Sequence, residues 1–305
     1  VIFGHYQLDY NKSDDQMNYC IASPHKNELW YDYRLYVNLK HELEKLGHIH
    51  CAGAKNRIYF LGGPQKLFYP KVGQFDSNAN NIALVYCHPE KLKSLDQFDK
   101  VFVCSKGFRE YFHKKSLATN QPIEIIPPFS SLKPVAQNRP RYDCDVSFMG
   151  VPRVRPALDA VLPLVDELGI TLSLFGPGWN NYPNGQNLEK YWVARQIPYQ
   201  HIPQLTLGSK ICLLDHHESM NTIGSISHKY VDFVMSGGFV VSDYNQDAID
   251  NYQGICFSEK RPLKDILQEY LADEGKRKEH IAMQQQLMIK QTTHAAAKTL
   301  AESFV

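Results

Sequence analysis

The sequence predicts an α/β protein made of two doubly wound, parallel-sheet domains. Three observations carry this. Short apolar runs that end in Gly, Pro, Ser or Asp alternate with helical segments along the chain, the pattern of parallel strands with covering helices. The chain has 305 residues, too long for one ordinary core and about right for two domains of roughly 150 residues each. A polar, proline-marked stretch, "SSLKPVAQNRPRY", separates two such alternating series.

The first series opens with "MNYCIAS" as a short strand. "ELWYDYRLYVNLKHELEKLG" follows as a helix with Tyr36, Leu39, Leu43 and Leu46 on one stripe and Gly47 as its stop. "RIYFLGG", "NIALVYCHPE", "KVFVCS" and "IEIIPPF" read as strands, with "KGFREYFHKK" as a helix between the last two. The second series runs strand "CDVSFMG", a helix from about Pro156 to Leu168, strand "ITLSLFG", helix "NLEKYWVARQ", strand "KICLLDH", helix "SHKYVDFVMS" and strand "GFVVSD". The tail from about Pro262 is helical, with "KDILQEYLADEGKRKEHIAMQQQLMIKQ" as its longest part. The expected division is 1–135, 136–285 and a last helix, 286–305.

Composition narrows the function. Apolar residues make up 43%, enough for a real core. A net charge of +1 argues against a nucleic-acid partner and a polybasic membrane anchor. No apolar run nears the roughly 18 residues of a membrane span, and the N-terminus is polar after its third residue, unlike a signal peptide. The first residue is Val rather than Met, which points to a fragment or a processed chain. The seven cysteines are widely spaced with no C-x-x-C pair. That pattern predicts neither disulfides nor structural zinc, and a reducing, cytoplasmic setting.

Ligands of doubly wound sheets bind beyond the carboxyl ends of the strands, so the residues after each strand are the candidates. "MGVPRVRP" puts Gly150, Arg153 and Arg155 ahead of a helix start, either as an anion site or as solvated loop arginines. "FGPGW" supplies Gly176 and Trp179, the tryptophan lining a pocket or plugging the domain edge. His216, His217 and Glu218 invite a metal, but adjacent residues on extended chain point to opposite faces, and no metal site is predicted. Gly224 and Ser225 read better as a phosphate cradle.

In "SHKYVDFVMSGG", Ser227 caps the helix and Tyr230, Phe233 and Val234 form its packing stripe. Lys229 and Asp232 share another face. As a surface pair they would contribute only about 0.2–0.5 kcal/mol. Facing a cleft, Lys229 and the helix N-terminus would meet a diphosphate, and Asp232 could accept both hydroxyls of a ribose. In the first domain, His88 follows a buried strand run and Asp32 tops a core-facing stripe. Each has a structural alternative, a capping or core histidine and a helix-dipole acid.

Together these stretches resemble the GT-B glycosyltransferases, in particular the bacterial branch with the CgeB-like spore-maturation proteins. The matching segments, in order, are "ELWYDYRLYVNLKHELEKLGH", "NIALVYCHPEKL" with "FDKVFVCS", "DVSFMG", "LSLFGPGW", "KICLLDHHESMNTIGSISHKYVDFVMSGGFVVSD" and "TTHAAAKTL". The likeness spans about residues 17 to 300. It implies two Rossmann-like domains around a deep cleft, the second holding a nucleotide-diphosphate sugar, a UDP-sugar by implication, the first holding a glycan or glycolipid acceptor. No metal is implied, and the wider clan implies retention of configuration. Peripheral association with the inner face of the cytoplasmic membrane and a role in bacterial surface glycans fit this branch.

The resemblance assigns Lys229 to the diphosphate, Asp232 to the ribose, His88 to the donor sugar and Asp32 to the acceptor-side base. The chain departs from the pattern at Tyr31 (usually Gly), Arg34 (usually His), His228 (usually Asn) and Lys229 (usually Arg). Two other readings of the same residues are a GT-B module without catalysis inside a larger assembly, and a nucleotide-sugar epimerase.

Overall fold

The computed structural model describes residues 16–304 apart from 24, 28, 29 and 62–73. Glu28 of the opening motif, the two glycines after "RIYFL" and the N-terminal 15 residues therefore lie outside the described residues. The described chain forms two six-stranded parallel sheets. The first holds β1 (Asn18–Ala22), β2 (Ile49–His50), β3 (Asn56–Leu61), β4 (Asn80–Val85), β5 (Lys100–Val103) and β6 (Ile123–Ile125). Its order is β2-β1-β3-β4-β5-β6, which places the reversal of strand order between β1 and β3. The second holds β7 (Cys144–Met149), β8 (Leu172–Phe175), β9 (Trp192–Ala194), β10 (Ser209–Leu214), β11 (Val240–Asp243) and β12 (Ile255–Phe257). Its order is β12-β11-β10-β7-β8-β9, with the reversal between β7 and β10.

The local causes are legible. The middle strands of the first sheet, β3 to β5, are nearly continuous apolar runs because helices cover both faces. Helix α1 (Tyr31–Lys45) buries Asp32, Leu35, Leu39 and Leu43, a stripe of three- and four-residue steps. Tyr36 and Leu46, expected on that stripe, are only partly buried at its side. Helix α2 (Lys106–Lys115) is capped by Ser105 and buries Phe108 and Phe112. In the second domain, α3 (Pro156–Leu168) starts with Pro and ends at Gly169, which takes the left-handed conformation, φ 62°. The shorter α4 (Ile202–Gly208), α5 (Glu218–Thr222) and α7 (Gln246–Tyr252) belong to the same domain as α6 (His228–Met235), which packs on α4. Ser227 caps α6, and Tyr230, Phe233 and Val234 pack into the core as the stripe predicts.

Two expected helices differ. "NLEKYWVARQ" is not a helix: it makes one tight turn and then becomes β9, where Trp192 and Ala194 pair with β8. Its aromatic and β-branched centre suits a strand. The long tail helix breaks at Asp273 into α8 (Leu263–Ala272) and α9 (Glu274–Leu287), because the Asp273 side chain accepts the Lys276 N–H and caps the second piece.

The chain ends in α10 (Thr293–Glu302), which packs on α1 and puts Ala296, Ala297 and Leu300 into the core of the first domain. Where it crosses back, Ser130 N–H donates to Gln291 O at 3.0 Å and Thr293 N–H to Ser130 O at 3.1 Å. The outgoing and returning strands of chain are thus tied together. Leu300→Ala should lower stability by about 2–5 kcal/mol, read as a shifted midpoint in urea unfolding of the full chain. An unchanged midpoint would mean that α10 contributes nothing to the first core.

Candidate active site

A cavity of about 350 Å³ opens between the domains. The second domain supplies the ends of β7 (Met149, Gly150, Val151), β8 (Gly176, Pro177) and β9 (Arg195, Gln196, Ile197), with Ser227, His228 and Lys229 at the start of α6. The first domain supplies Trp30, Tyr31 and Arg34 from the start of α1 and Tyr86 and Cys87 after β4. Gly176 has φ 123°, and a Cβ there would sit 1.7 Å from the Gly150 carbonyl oxygen. Only glycine lets these two strand-end loops touch. Arg34, Arg155, Arg195 and Lys229 line the cavity, and among the described residues no carboxylate does.

Arg155 anchors the cavity floor. Its Nη1 meets Asp215 Oδ1 at 2.7 Å, its Nε donates to Val151 O at 3.0 Å and its N–H donates to the Tyr182 hydroxyl at 3.0 Å. Both side chains of this ion pair are buried. Burial lowers the Arg155 pKa, and Asp215 opposes that fall. Arg153 shares Asp215 from 3.5 Å but is 36% exposed, so it remains available to a ligand.

Lys229 Nζ donates to Met149 O at 2.9 Å and pairs with no carboxylate among the described residues. Burial first, and the neighbouring Arg155 second, push its pKa down to about 7. His228 lies between three rings of the first domain: Tyr86 at 4.4 Å, Tyr31 at 5.5 Å and Phe129 at 5.6 Å between centroids. Burial lowers its pKa to about 3, so it is neutral at working pH, and its Nε2 has no hydrogen-bond partner among the described residues.

A family model described as glycosyl transferase-like matches residues 155–302, from Arg155 through the start of α6 to the end of α10. This part of the chain is similar to that family. Among solved structures, sucrose-phosphate synthase from Thermosynechococcus elongatus is 11% identical, with TM-score 0.62 over 94% of this chain and 98% of that one. T4 phage BGT, solved with its UDP-glucose substrate, is 12% identical, with TM-score 0.59 over 95% and 98%. S. aureus TarM is 14% identical, with TM-score 0.60 over 88% of this chain and 58% of its own. These likenesses establish the GT-B fold. No curated protein matches the sequence.

Four of the sequence-predicted residues line the cavity: Gly150, Gly176, Arg155 and Lys229. Arg153 stands beside it. The others lie elsewhere. Trp179 is fully buried against Phe148 and Tyr182 and fills the core. Gly224 and Ser225 do not line the cavity and stand at the domain contact: Ser225 Oγ meets Cys104 Sγ of the first domain at 2.9 Å, and this loop packs on Gly107. A Cβ on Gly107 would come within 2.2 Å of Ile223 O, so the domains are in close backbone contact there.

Asp232 accepts from the Ser130 hydroxyl at 2.5 Å and the Tyr199 hydroxyl at 2.8 Å through Oδ1. Burial raises its pKa to about 6. Asp32 is buried and accepts from Ser23 and His25. His88 takes a left-handed backbone, φ 53°, binds Glu90 through Nδ1 at 3.1 Å and meets the His217 ring edge to face at 5.0 Å across the cleft. His216 turns away to Asp243 at 2.7 Å while His217 caps α5, so the adjacent histidines point apart as the extended-chain argument requires. Among the described residues, no group of three or more His, Cys, Asp or Glu is placed to hold a metal ion. Nor does any described helix have the length and apolarity to cross a membrane.

The sequence reading missed Trp30, Arg195, Gln196 and His25. The strand-end rule that selected His88 would have selected His25, which follows β1. Arg195 and Gln196 were hidden by the mistaken helix.

An anion in the cavity needs the charged form of Lys229. The affinity ratio of wild type to Lys229→Met for inorganic pyrophosphate should be largest below pH 7. It should fall about tenfold per pH unit above that, as measured by calorimetry at several pH values. Because the folded pKa is depressed, the stability penalty of burying this charge is present below pH 7 and fades as pH rises toward the unfolded value. Lys229→Met should therefore raise the melting temperature at pH 6 more than at pH 9. A pH-independent ratio would show that Lys229 does not meet the anion.

Proposed function

We propose that the protein is a glycosyltransferase that moves a sugar from a nucleoside-diphosphate sugar to an acceptor hydroxyl. The observation that carries this is a cavity at the carboxyl ends of β7 and β8, lined by Arg34, Arg195 and Lys229, with Arg155 paired to Asp215 beneath them and no carboxylate in the lining among the described residues. A diphosphate is the charge partner such a wall fits. In this reading Lys229 and the N-terminal amides of α6 hold the diphosphate, with Arg153 and Arg195 beside it. Their charge stabilises the leaving group, and the cavity positions the reacting centres. Cations already facing the ligand make a metal ion unnecessary for neutralising it.

Asp232 meets the ribose in a reduced form of the expected role. Its Oδ1 is occupied by Ser130 and Tyr199, and its Oδ2 makes no hydrogen bond to described residues, which leaves it for one hydroxyl rather than two. His88 and His217, facing each other at the rim, border the donor sugar. UDP is the favoured nucleotide: the T4 phage enzyme of the same fold takes UDP-glucose. The acceptor class is a glycan or glycolipid, made on the cytoplasmic side in bacterial surface glycan synthesis, as the resemblance implies.

Calorimetry with UDP, GDP and ADP should find one that binds wild type, at least tenfold more weakly in Lys229→Ala and more weakly in Asp232→Ala. If none of the three binds, the donor reading is wrong.

A further inference from the structure

We propose that a second cavity, where the chain crosses back into the first domain, binds a phosphate group carried by a soluble phosphate ester or by a lipid headgroup. The cavity has about 580 Å³ and shares no lining residue with the first, so the proposal stands apart from the glycosyltransferase reading. Asn38, His41, Glu42 and Lys45 bring one face of α1 to it. The linker from Ser130 to Lys133, Met235 at the end of α6 and the start of α10 complete the lining.

The charge of this lining favours an anion. Glu42 is its one carboxylate among the described residues. Glu42 Oε1 meets Lys45 Nζ at 2.7 Å, and Glu42 Oε2 meets His294 Nδ1 at 3.4 Å. Lys45 thus offsets Glu42, and the charge of Lys133 is left over. Lys133 and His41 make no hydrogen bond or ion pair to a described residue. His41 and His294 add to the positive charge when protonated.

Cations alone would be an ordinary solvated face. Two observations at α10 point to a ligand. Thr293 lines the cavity and is 2% exposed, yet its Oγ1 has no hydrogen-bond partner among the described residues. A buried hydroxyl left unpaired is costly, and an acceptor in the cavity would meet it. The second observation is in the backbone. In the first turn of α10, Thr293 N–H donates to Ser130 O and Ala295 N–H to the Thr292 hydroxyl. The His294 N–H between them makes no hydrogen bond to a described residue. This amide sits at the positive end of a ten-residue helix, where an anion is favoured. Thr292 Oγ1 accepts from Ala295 and keeps its own proton to donate. Two hydroxyls, an amide and an ammonium call for several acceptor oxygens on one charged centre, which a phosphate group supplies. The volume exceeds that of one phosphate and leaves room for the alcohol attached to it.

The test uses the full chain with two probes, glycerol 3-phosphate in solution and vesicles of equimolar phosphatidylcholine and phosphatidylglycerol. Glycerol and vesicles of phosphatidylcholine alone are the controls. With histidine labelled, proton–nitrogen NMR should show the His41 and His294 ring signals moving with glycerol 3-phosphate and not with glycerol. The same shifts should persist in Lys229→Met, which alters only the first cavity. Lys133→Glu should weaken binding about tenfold or more. Thr293→Val removes the unpaired hydroxyl and keeps the shape. It should leave the melting temperature without ligand unchanged or higher, and still weaken binding about tenfold. His294→Gln serves if the Thr293→Val chain does not fold. Movement with glycerol 3-phosphate supports the proposal with a soluble ester as the source. Sedimentation with the phosphatidylglycerol vesicles alone, lost in Lys133→Glu, supports it with a headgroup as the source. Binding of neither probe overturns it, as does binding that Lys133→Glu and Thr293→Val both leave unchanged.

Discussion

The buried ion pair between Arg155 and Asp215 is the constraint around which the cavity is built. It spans the point where strand order reverses, joining the loop after β7 to the end of β10. The same guanidinium holds the loop after β7 through Val151 O, and the Arg155 backbone N–H, donating to the Tyr182 hydroxyl, fixes the start of α3. Removing one partner of such a pair leaves an uncompensated buried charge and costs about 3–5 kcal/mol. Its electrostatic consequence matters as much. Asp215 neutralises Arg155, so the floor of the cavity is rigid without being strongly cationic, and the charge left for a ligand sits on Lys229, Arg195 and the exposed Arg153.

Helix α6 carries that organisation into the domain contact. In one turn it presents Lys229 to the cavity, His228 to the three aromatic rings of the first domain and Asp232 to Ser130 at the start of the linker. The buried His228 ring stays neutral, so the aromatic contact is made without burying a charge. Any displacement of the first domain relative to the second must therefore act on the helix that holds the cavity-lining lysine. The cavity wall and the domain contact are linked through adjacent residues rather than over a distance.

Much of the fold was legible because periodicity and strand-end residues are local signals. The buried runs of β3, β4, β5, β10 and β11, the caps of α2 and α6, and the stripe of α6 all follow from short stretches of sequence. The losses have physical causes too. Trp192 and Ala194 fit a strand because β8 offers them a pairing edge, which no local window contains. Arg153 and Arg155 look alike in "VPRVRP", and only the third dimension makes one a buried anchor of Asp215 and the other its longer, partly exposed partner. Gly224 and Ser225 carry the composition of a phosphate loop, but Gly107 of the other domain needs them as a packing surface. Asp32 is a buried acid on a core-facing stripe, a position the sequence marks. Its partner His25 lies in a loop with no periodicity, so the sequence could not show that its oxygens are taken.

The departures from the resembled pattern are not scattered. Tyr31 stacks on His228 at 5.5 Å, and Arg34 and Lys229 line the same cavity. A tyrosine in place of glycine and a histidine in place of asparagine thus make one contact across the domain boundary, and each accounts for the other. Lysine in place of arginine belongs to the same wall and has a distinct consequence. A guanidinium keeps its charge under any burial found here, as Arg155 does beside Asp215. An ammonium buried next to that guanidinium has its pKa pushed down to about 7 while it donates to Met149 O. The exchange therefore gives up the bidentate fork and makes the cavity's free charge depend on pH and on what occupies it. An anion entering the cavity would restore the proton that burial removes, so the wall becomes fully cationic only when it is occupied.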